Sequence, residues 1–176
     1  MATETVCDAK YLRLVRADGW EFVQRKNITG IVGIIAVTND GKLILVEQFR
    51  PPVNKNVIEI PAGLSGDTPN SKNEDLRLAA SRELEEETGY RAAKMTQVAS
   101  GTASAGLCDE IITLFRAENL TKVSDGGGDE SEEITVHEIP LDEVENWLGQ
   151  QIAQNTLVDL KVYSALHFAR LTRRPD

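Results

Sequence analysis

The sequence predicts an α+β domain: a mixed β-sheet with helices packed against it. Three observations lead there. Short β-branched runs recur between Gly, Asp and Asn turns in the first third of the chain, residues 74–88 are helix formers without Gly or Pro, and a second long helical stretch closes the chain after further strands.

Residues 10–15 and 20–23 flank Asp18-Gly19, a dipeptide that favours two-residue turns, and are read as a hairpin. Residues 31–37 and 42–49 flank Asn39-Asp40-Gly41 and carry longer runs of Ile, Val and Leu, so they are expected to form the clearest hairpin of the chain from buried strands. A short strand over 57–60 stops at Pro61-Ala62-Gly63, leaving a backbone free for close approach. A polar loop over 65–73 follows. Helix 74–88 takes Asn73 as its N-terminal cap, and Gly89 stands where a left-handed C-terminal cap belongs. Strand 111–118, a Gly-rich acidic loop over 121–133, strand 134–139, helix 141–148 opened by Pro140, and helix 156–171 complete the order.

The 176 residues and 41% hydrophobic content support one globular core. A net charge of -9 leaves no bulk basic footprint for nucleic acid or an anionic membrane. Cys7 and Cys108 form no Cys-x-x-Cys pair, so neither a thiolate zinc site nor a disulfide framework is expected, and a reducing cytoplasm fits. No stretch approaches the roughly 18 apolar residues of a membrane span. An acidic protein that handles phosphates must cancel its own field at the site, which a divalent cation or a few placed basic residues would do.

On helix 74–88 the spacing puts Glu83, Glu86 and Glu87 on one face, where like charges repel and call for a compensating cation. Oxygen ligands of this kind suit Mg²⁺ or Mn²⁺. Alone, the same run reads sooner as the solvated face of a charged helix. The segment Arg82-Glu83-Leu84-Glu85-Glu86-Glu87-Thr88-Gly89-Tyr90, with Glu74 eight residues before Arg82, resembles the second half of the Nudix box. Gly63 precedes Glu74 by eleven residues where that box has six, a five-residue insertion assigned to the loop. Shorter segments, including Val46 to Arg50, Glu59 to Gly63 and Ser104-Ala105-Gly106, are similar to the ADP-ribose and nucleoside-diphosphate-sugar pyrophosphatase branch; Ala105 stands where that branch commonly has Pro.

The resemblance implies a Nudix-type α/β/α sandwich over residues 31–176, preceded by N-terminal strands over 1–30 that in this branch often cross to a partner in a homodimer. It implies Mg²⁺-dependent hydrolysis of the diphosphate in ADP-ribose or a nucleoside diphosphate sugar. Dinucleoside polyphosphates or nucleoside triphosphates are the alternative substrates, and a non-catalytic nucleotide-binding module is a third reading. Metal ligands would be Glu83, Glu86, Glu87 and the carbonyl of Ala62, with Arg82 off the ligand face and paired with a nearby carboxylate to fix the helix, and Glu74 tying down the loop end, both structural. The general base is expected from the acidic loop, Glu132 first and Glu130 or Glu133 as alternatives. Glu59 and Ser104 are implied substrate contacts. Trp20 either stacks on the nucleobase or belongs to the core, and Arg50 either grips phosphate or forms an ion pair. Gly126-Gly127-Gly128 is a candidate hinge.

Overall fold

The computed structural model describes residues 2–66, 74–128 and 133–171. The chain opens with an antiparallel sheet in the order β1 (Glu4–Asp8), β2 (Leu12–Ala17), β3 (Trp20–Arg25). The expected hairpin is there: Asp18 and Gly19 both have positive φ, 48° and 82°, the mirror-image turn whose twist suits two strands. The additional strand β1 comes from a segment with no clear alternation. The sheet is fastened to the rest by β3, whose Val23 N–H donates to the Leu107 carbonyl at 2.8 Å and whose Arg25 pairs with Glu110 at 2.8 Å.

Beyond it the elements run β4 (Gly30–Ala36), β5 (Lys42–Arg50), β6 (Lys55–Glu59), β7 (Ala62–Ser65), α1 (Leu76–Thr88), β8 (Tyr90–Thr102), β9 (Ile111–Lys122), β10 (Thr135–Pro140), α2 (Val144–Ala153), β11 (Leu157–Val158) and α3 (Leu160–Leu171). They make two four-stranded sheets, β7-β4-β9-β8 and β10-β5-β6-β11. Each is mixed, because β4 pairs parallel with β9 and β6 parallel with β11.

The hairpin expected over 31–49 is corrected by this topology. Both strands form, but β4 belongs to one sheet and β5 to the other, and an isolated Val37–Leu43 bridge lies between them. Thr38 closes the turn, accepting from the Lys42 N–H and donating to Asp40. Strands buried on both faces pair along both edges, and β4 finds β7 and β9, whose contacts are remote in sequence.

Alternation along these strands divides the core in two. Ile34 and Ile44 point into a cluster with Ala79, Ala80 and Leu84 of α1; Ile35, Leu43 and Leu45 point into one with Leu148 of α2 and Val162, Ala165 and Leu166 of α3. The helices therefore cover opposite faces, giving the expected α+β sandwich.

Element ends differ where side chains compete. Asp75, not Asn73, caps α1 by accepting from the Arg77 N–H at 2.8 Å; Asn73 lies outside the described residues. Gly89 ends the helix with φ 73°, as expected. Residues 141–143 form a turn, so α2 starts later than read, and α3 starts at Leu160 because Leu157 and Val158 extend the edge of β6 first. The strand before Pro61 does not end in free backbone: Ala62 opens β7 and pairs with Gly33. Among the described residues no helix is long and apolar enough to cross a membrane.

Candidate active site

The face of α1 carrying the three glutamates grades from core to solvent. Glu87 is buried at 3% exposure, the Glu83 side chain is nearly so, and the Glu86 side chain is about half exposed at 51%. Buried Leu84 and Ala80 hold that face in place from behind. Ahead of it runs the start of β7. The Ala62 N–H donates to Glu87 Oε2 at 3.0 Å, and Gly63 faces Glu83 so closely that a Cβ there would lie 1.9 Å from its carboxyl carbon. Only glycine leaves that room.

Arg82 does not point away from this face. Its Nη1 is 2.9 Å from both Glu83 and Glu86, while Nη2 donates to the Leu64 carbonyl at 3.0 Å and lies 3.4 Å from Glu74. Burial opposes the guanidinium charge, but Glu74, Glu83 and Glu86 outweigh it and hold the pKa above its ordinary value. Arg82 thus spans β7, the start of α1 and two of the three carboxylates.

The far end of the face meets the segment after β9. Gly127 and Gly128 donate their N–H groups to the carbonyls of Glu87 and Glu86, at 2.8 and 3.1 Å. The glycine run read as a hinge is thereby fastened to α1. An open cavity of about 580 Å³ lies between Arg82, Glu85 and Glu86 on one side and Ser124, Asp125, Gly126 and Gly128 on the other.

Other candidate residues are placed as follows. Arg50 bonds Glu59 Oε2 through Nε at 2.8 Å and Nη2 at 2.6 Å, so two expected substrate contacts hold each other. Trp20 is 64% exposed on the hairpin, which removes the core reading. Ser104 is exposed in the turn after β8, its carbonyl accepting from the N–H groups of Leu107 and Cys108. That turn and the strand of Trp20 are joined by the Val23–Leu107 bond. Glu133 is exposed directly before buried Ile134; Glu130 and Glu132 lie outside the described residues. The pairing expected of Arg82 with a nearby carboxylate is found, and it extends to Glu74, Glu83 and Glu86; the backbone bonds of Gly127 were missed, since a glycine run does not signal its partners.

The residues suit a hard divalent cation in kind: three carboxylates beside a glycine that admits close approach. Among the described residues no three acidic, His or Cys side chains are grouped closely enough to cage an ion as they stand, and Arg82 carries the compensating charge between Glu83 and Glu86.

Residues 28–160 match the family described as the NUDIX domain, and the chain belongs to that family. Nudix hydrolases use divalent metal ions, and this chain is one of their pyrophosphohydrolases. It is 41% identical over 143 residues to a methanol dehydrogenase activator of Bacillus methanolicus and 36% identical over 143 residues to an ADP-ribose pyrophosphatase of Bacillus subtilis; each match covers 81% of this chain and 72% of the relative. The fold is similar to that in a crystal structure of an ADP compounds hydrolase, with a TM-score of 0.70 and 23% identity over 97% of this chain and 90% of the other.

Proposed function

We propose that this enzyme hydrolyses the diphosphate linkage of ADP-ribose or of a nucleoside diphosphate sugar, giving a nucleoside monophosphate and a sugar phosphate, with Mg²⁺ as its metal and Mn²⁺ as a substitute. The observation that carries the reading is the graded carboxylate face of Glu83, Glu86 and Glu87 set against the Ala62-Gly63 backbone. The Bacillus subtilis relative supports the substrate class.

In this reading Glu83, Glu86, Glu87 and the Ala62 carbonyl hold the metal, which supplies charge neutralisation on the diphosphate and a more acidic water. Arg82 keeps Glu83 and Glu86 aimed. The acidic segment before β10 supplies the base that takes the proton of the attacking water, Glu132 first, Glu130 or Glu133 otherwise. The water oxygen bonds to one phosphorus as that phosphorus loses the bridging oxygen, which departs on the other phosphate. Trp20 stacks on the nucleobase, a role its exposure suits. Ser104 and the Arg50–Glu59 pair contact the rest of the substrate. Residues 1–30 are the unit that a second copy engages in a homodimer, and residues 31–176 are the hydrolase domain. The free thiols of Cys7 and Cys108 support a cytoplasmic setting.

The test is product analysis on ADP-ribose, nucleotide sugars, diadenosine polyphosphates and nucleoside triphosphates with Mg²⁺, for the wild type and Glu86→Gln. Metal-dependent release of monophosphate from sugar-linked substrates, lost in the variant, is expected. Turnover confined to dinucleotides or triphosphates would sink the substrate class, and no turnover would favour a nucleotide-binding module.

A further inference from the structure

We propose that Ser65 is a positioning residue of this active site: its buried hydroxyl clasps the Glu74 carbonyl to β7, which sets the Glu74 carboxylate against Arg82 and so fixes the guanidinium that holds Glu83 and Glu86. The inference rests on the proposed function and concerns how its carboxylate face is held.

Four consecutive residues of β7 meet α1 and its approach, each in a different way. The Ala62 N–H donates to Glu87, Gly63 leaves room for Glu83, the Leu64 carbonyl accepts from Arg82, and the Ser65 hydroxyl donates to the Glu74 carbonyl at 3.0 Å. Of these contacts only the last is made by a side chain of the strand, and Ser65 is fully buried. A buried hydroxyl is satisfied when it both gives and takes a hydrogen bond. That of Ser65 gives its proton to Glu74 and accepts from Thr29 Oγ1 at 2.9 Å. Thr29 is itself fixed, its N–H donating to the Ser65 carbonyl at 2.7 Å. Gly66 makes the room for it: φ there is 83°, and a Cβ would lie 3.0 Å from Thr29 Oγ1 and 3.1 Å from the Thr29 nitrogen.

The acceptor is equally particular. The Asp75 carbonyl accepts from the Ala79 N–H at 3.0 Å and opens the bonding of α1, so the Glu74 carbonyl lies outside the helix and is paired by Ser65 instead. The Glu74 side chain, 14% exposed, lies 3.4 Å from Arg82 Nη2, and Arg82 reaches Glu83 and Glu86 at 2.9 Å. A path of bonds therefore runs from Thr29 through Ser65, Glu74 and Arg82 to two of the three carboxylates. Groups that orient the ligands of a metal work only when they are themselves held, and the clasp holds the far end of this path. The start of α1 has a second, apolar anchor: Leu76 packs over Gly30, where a Cβ would lie 2.7 Å from Leu76 Cδ2. Cutting the clasp thus frees Glu74 while the helix stays docked.

The test is a Mn²⁺ titration of the full chain in three variants. Ser65→Ala removes the donor, Thr29→Val removes the hydroxyl behind it, and Ser81→Ala is the control, a hydroxyl that donates to the Arg77 carbonyl within α1 and has no place in the path. Affinity for Mn²⁺ is expected to weaken roughly 5- to 10-fold in Ser65→Ala and roughly 2- to 3-fold in Thr29→Val, and to stay at the wild-type value in Ser81→Ala. Thr29→Val carries the test should Ser65→Ala fail to fold. In a Glu74→Gln background, where the neutral amide no longer pairs with the guanidinium, adding Ser65→Ala should weaken Mn²⁺ by less than about twofold. A full further loss there, or unchanged affinity in Ser65→Ala itself, would overturn the proposal, because the hydroxyl would then serve only the fold of β7. An NMR arm needs neither metal nor substrate: the Arg82 Nε–H donates to Glu74 Oε1 at 3.4 Å, and its exchange with water should be roughly 5-fold or more faster in Ser65→Ala. An unchanged exchange rate would overturn the proposal. A wild type that turns over no diphosphate would defeat the proposed function, while the exchange rate still decides whether the clasp fixes Arg82.

Discussion

Gly63 shows how one missing side chain can serve a site. The atoms that a Cβ there would strike belong to the end of the flexible Glu83 side chain, so Gly63→Ala should leave stability nearly unchanged while swinging that carboxylate away. A Mn²⁺ titration should show affinity weakened roughly 10-fold or more with an unchanged melting curve; unchanged affinity would remove Glu83 from the metal site. Arg82 is the converse, a side chain with too many partners to lose. Arg82→Ala leaves nearly buried Glu74 and Glu83 without their cation and should cost about 1–3 kcal/mol in denaturant unfolding. The carboxylate spacing was legible because helix geometry fixes which residues share a face. That Arg82 pairs with a carboxylate was legible too, but its bonds to Glu74 and the Leu64 carbonyl were not, because the fold of β7 against α1 brings those partners to it.

Tyr90 carries a pH signature that joins β8 to β10. Burial, and then the bond its hydroxyl donates to Glu138 at 2.7 Å, push its pKa from 10.0 up to about 12. A raised folded-state value means the folded chain keeps a proton the unfolded chain releases, so this stabilisation is complete below pH 10 and lost as pH rises to about 12. Melting temperatures across that range should fall more steeply for the wild type than for Tyr90→Phe; parallel curves would contradict the assignment.

At the scale of elements, the most legible was α1, and its ends explain why. Asp75→Ala should cost about 1 kcal/mol by removing the cap on Arg77. Gly89→Ala should cost more, since it adds left-handed strain of about 1–2 kcal/mol to a Cβ placed 2.1 Å from the Ser124 carbonyl oxygen. Urea unfolding ranks the two, and an equal cost would mean that the end of the helix is loose. Caps and periodicity act within a few residues and so can be read from the chain. The partition of β4 and β5 between two sheets cannot, because a strand's local pattern records burial and not which distant edge it meets. The long strand β8 escaped for a related reason: Tyr90–Thr102 has few β-branched residues and takes its order from its neighbour β9 at the edge of the sheet.

For the whole molecule, the N-terminal sheet is thinly covered by the rest of the described chain. Every residue of β1 is exposed, and Val6, Tyr11, Leu12 and Trp20 present apolar surface that a single small sheet does not bury. Its attachment runs through β3 to residues 107–110, beside the turn that holds Ser104. A second copy seated on this sheet would bury that surface, and the reading of residues 1–30 as the dimerising unit has this direct consequence. Sedimentation velocity should find a species near twice 19.4 kDa, and Val6→Lys with Tyr11→Lys should move it toward one chain while leaving Trp20 and the carboxylate face untouched. If that doubly substituted monomer keeps full turnover, each site is complete within one chain; if kcat/KM falls with dissociation, the partner's sheet helps to form the substrate pocket. A wild type that sediments at 19.4 kDa would remove the dimer and leave the hairpin of Trp20 serving its own chain's substrate.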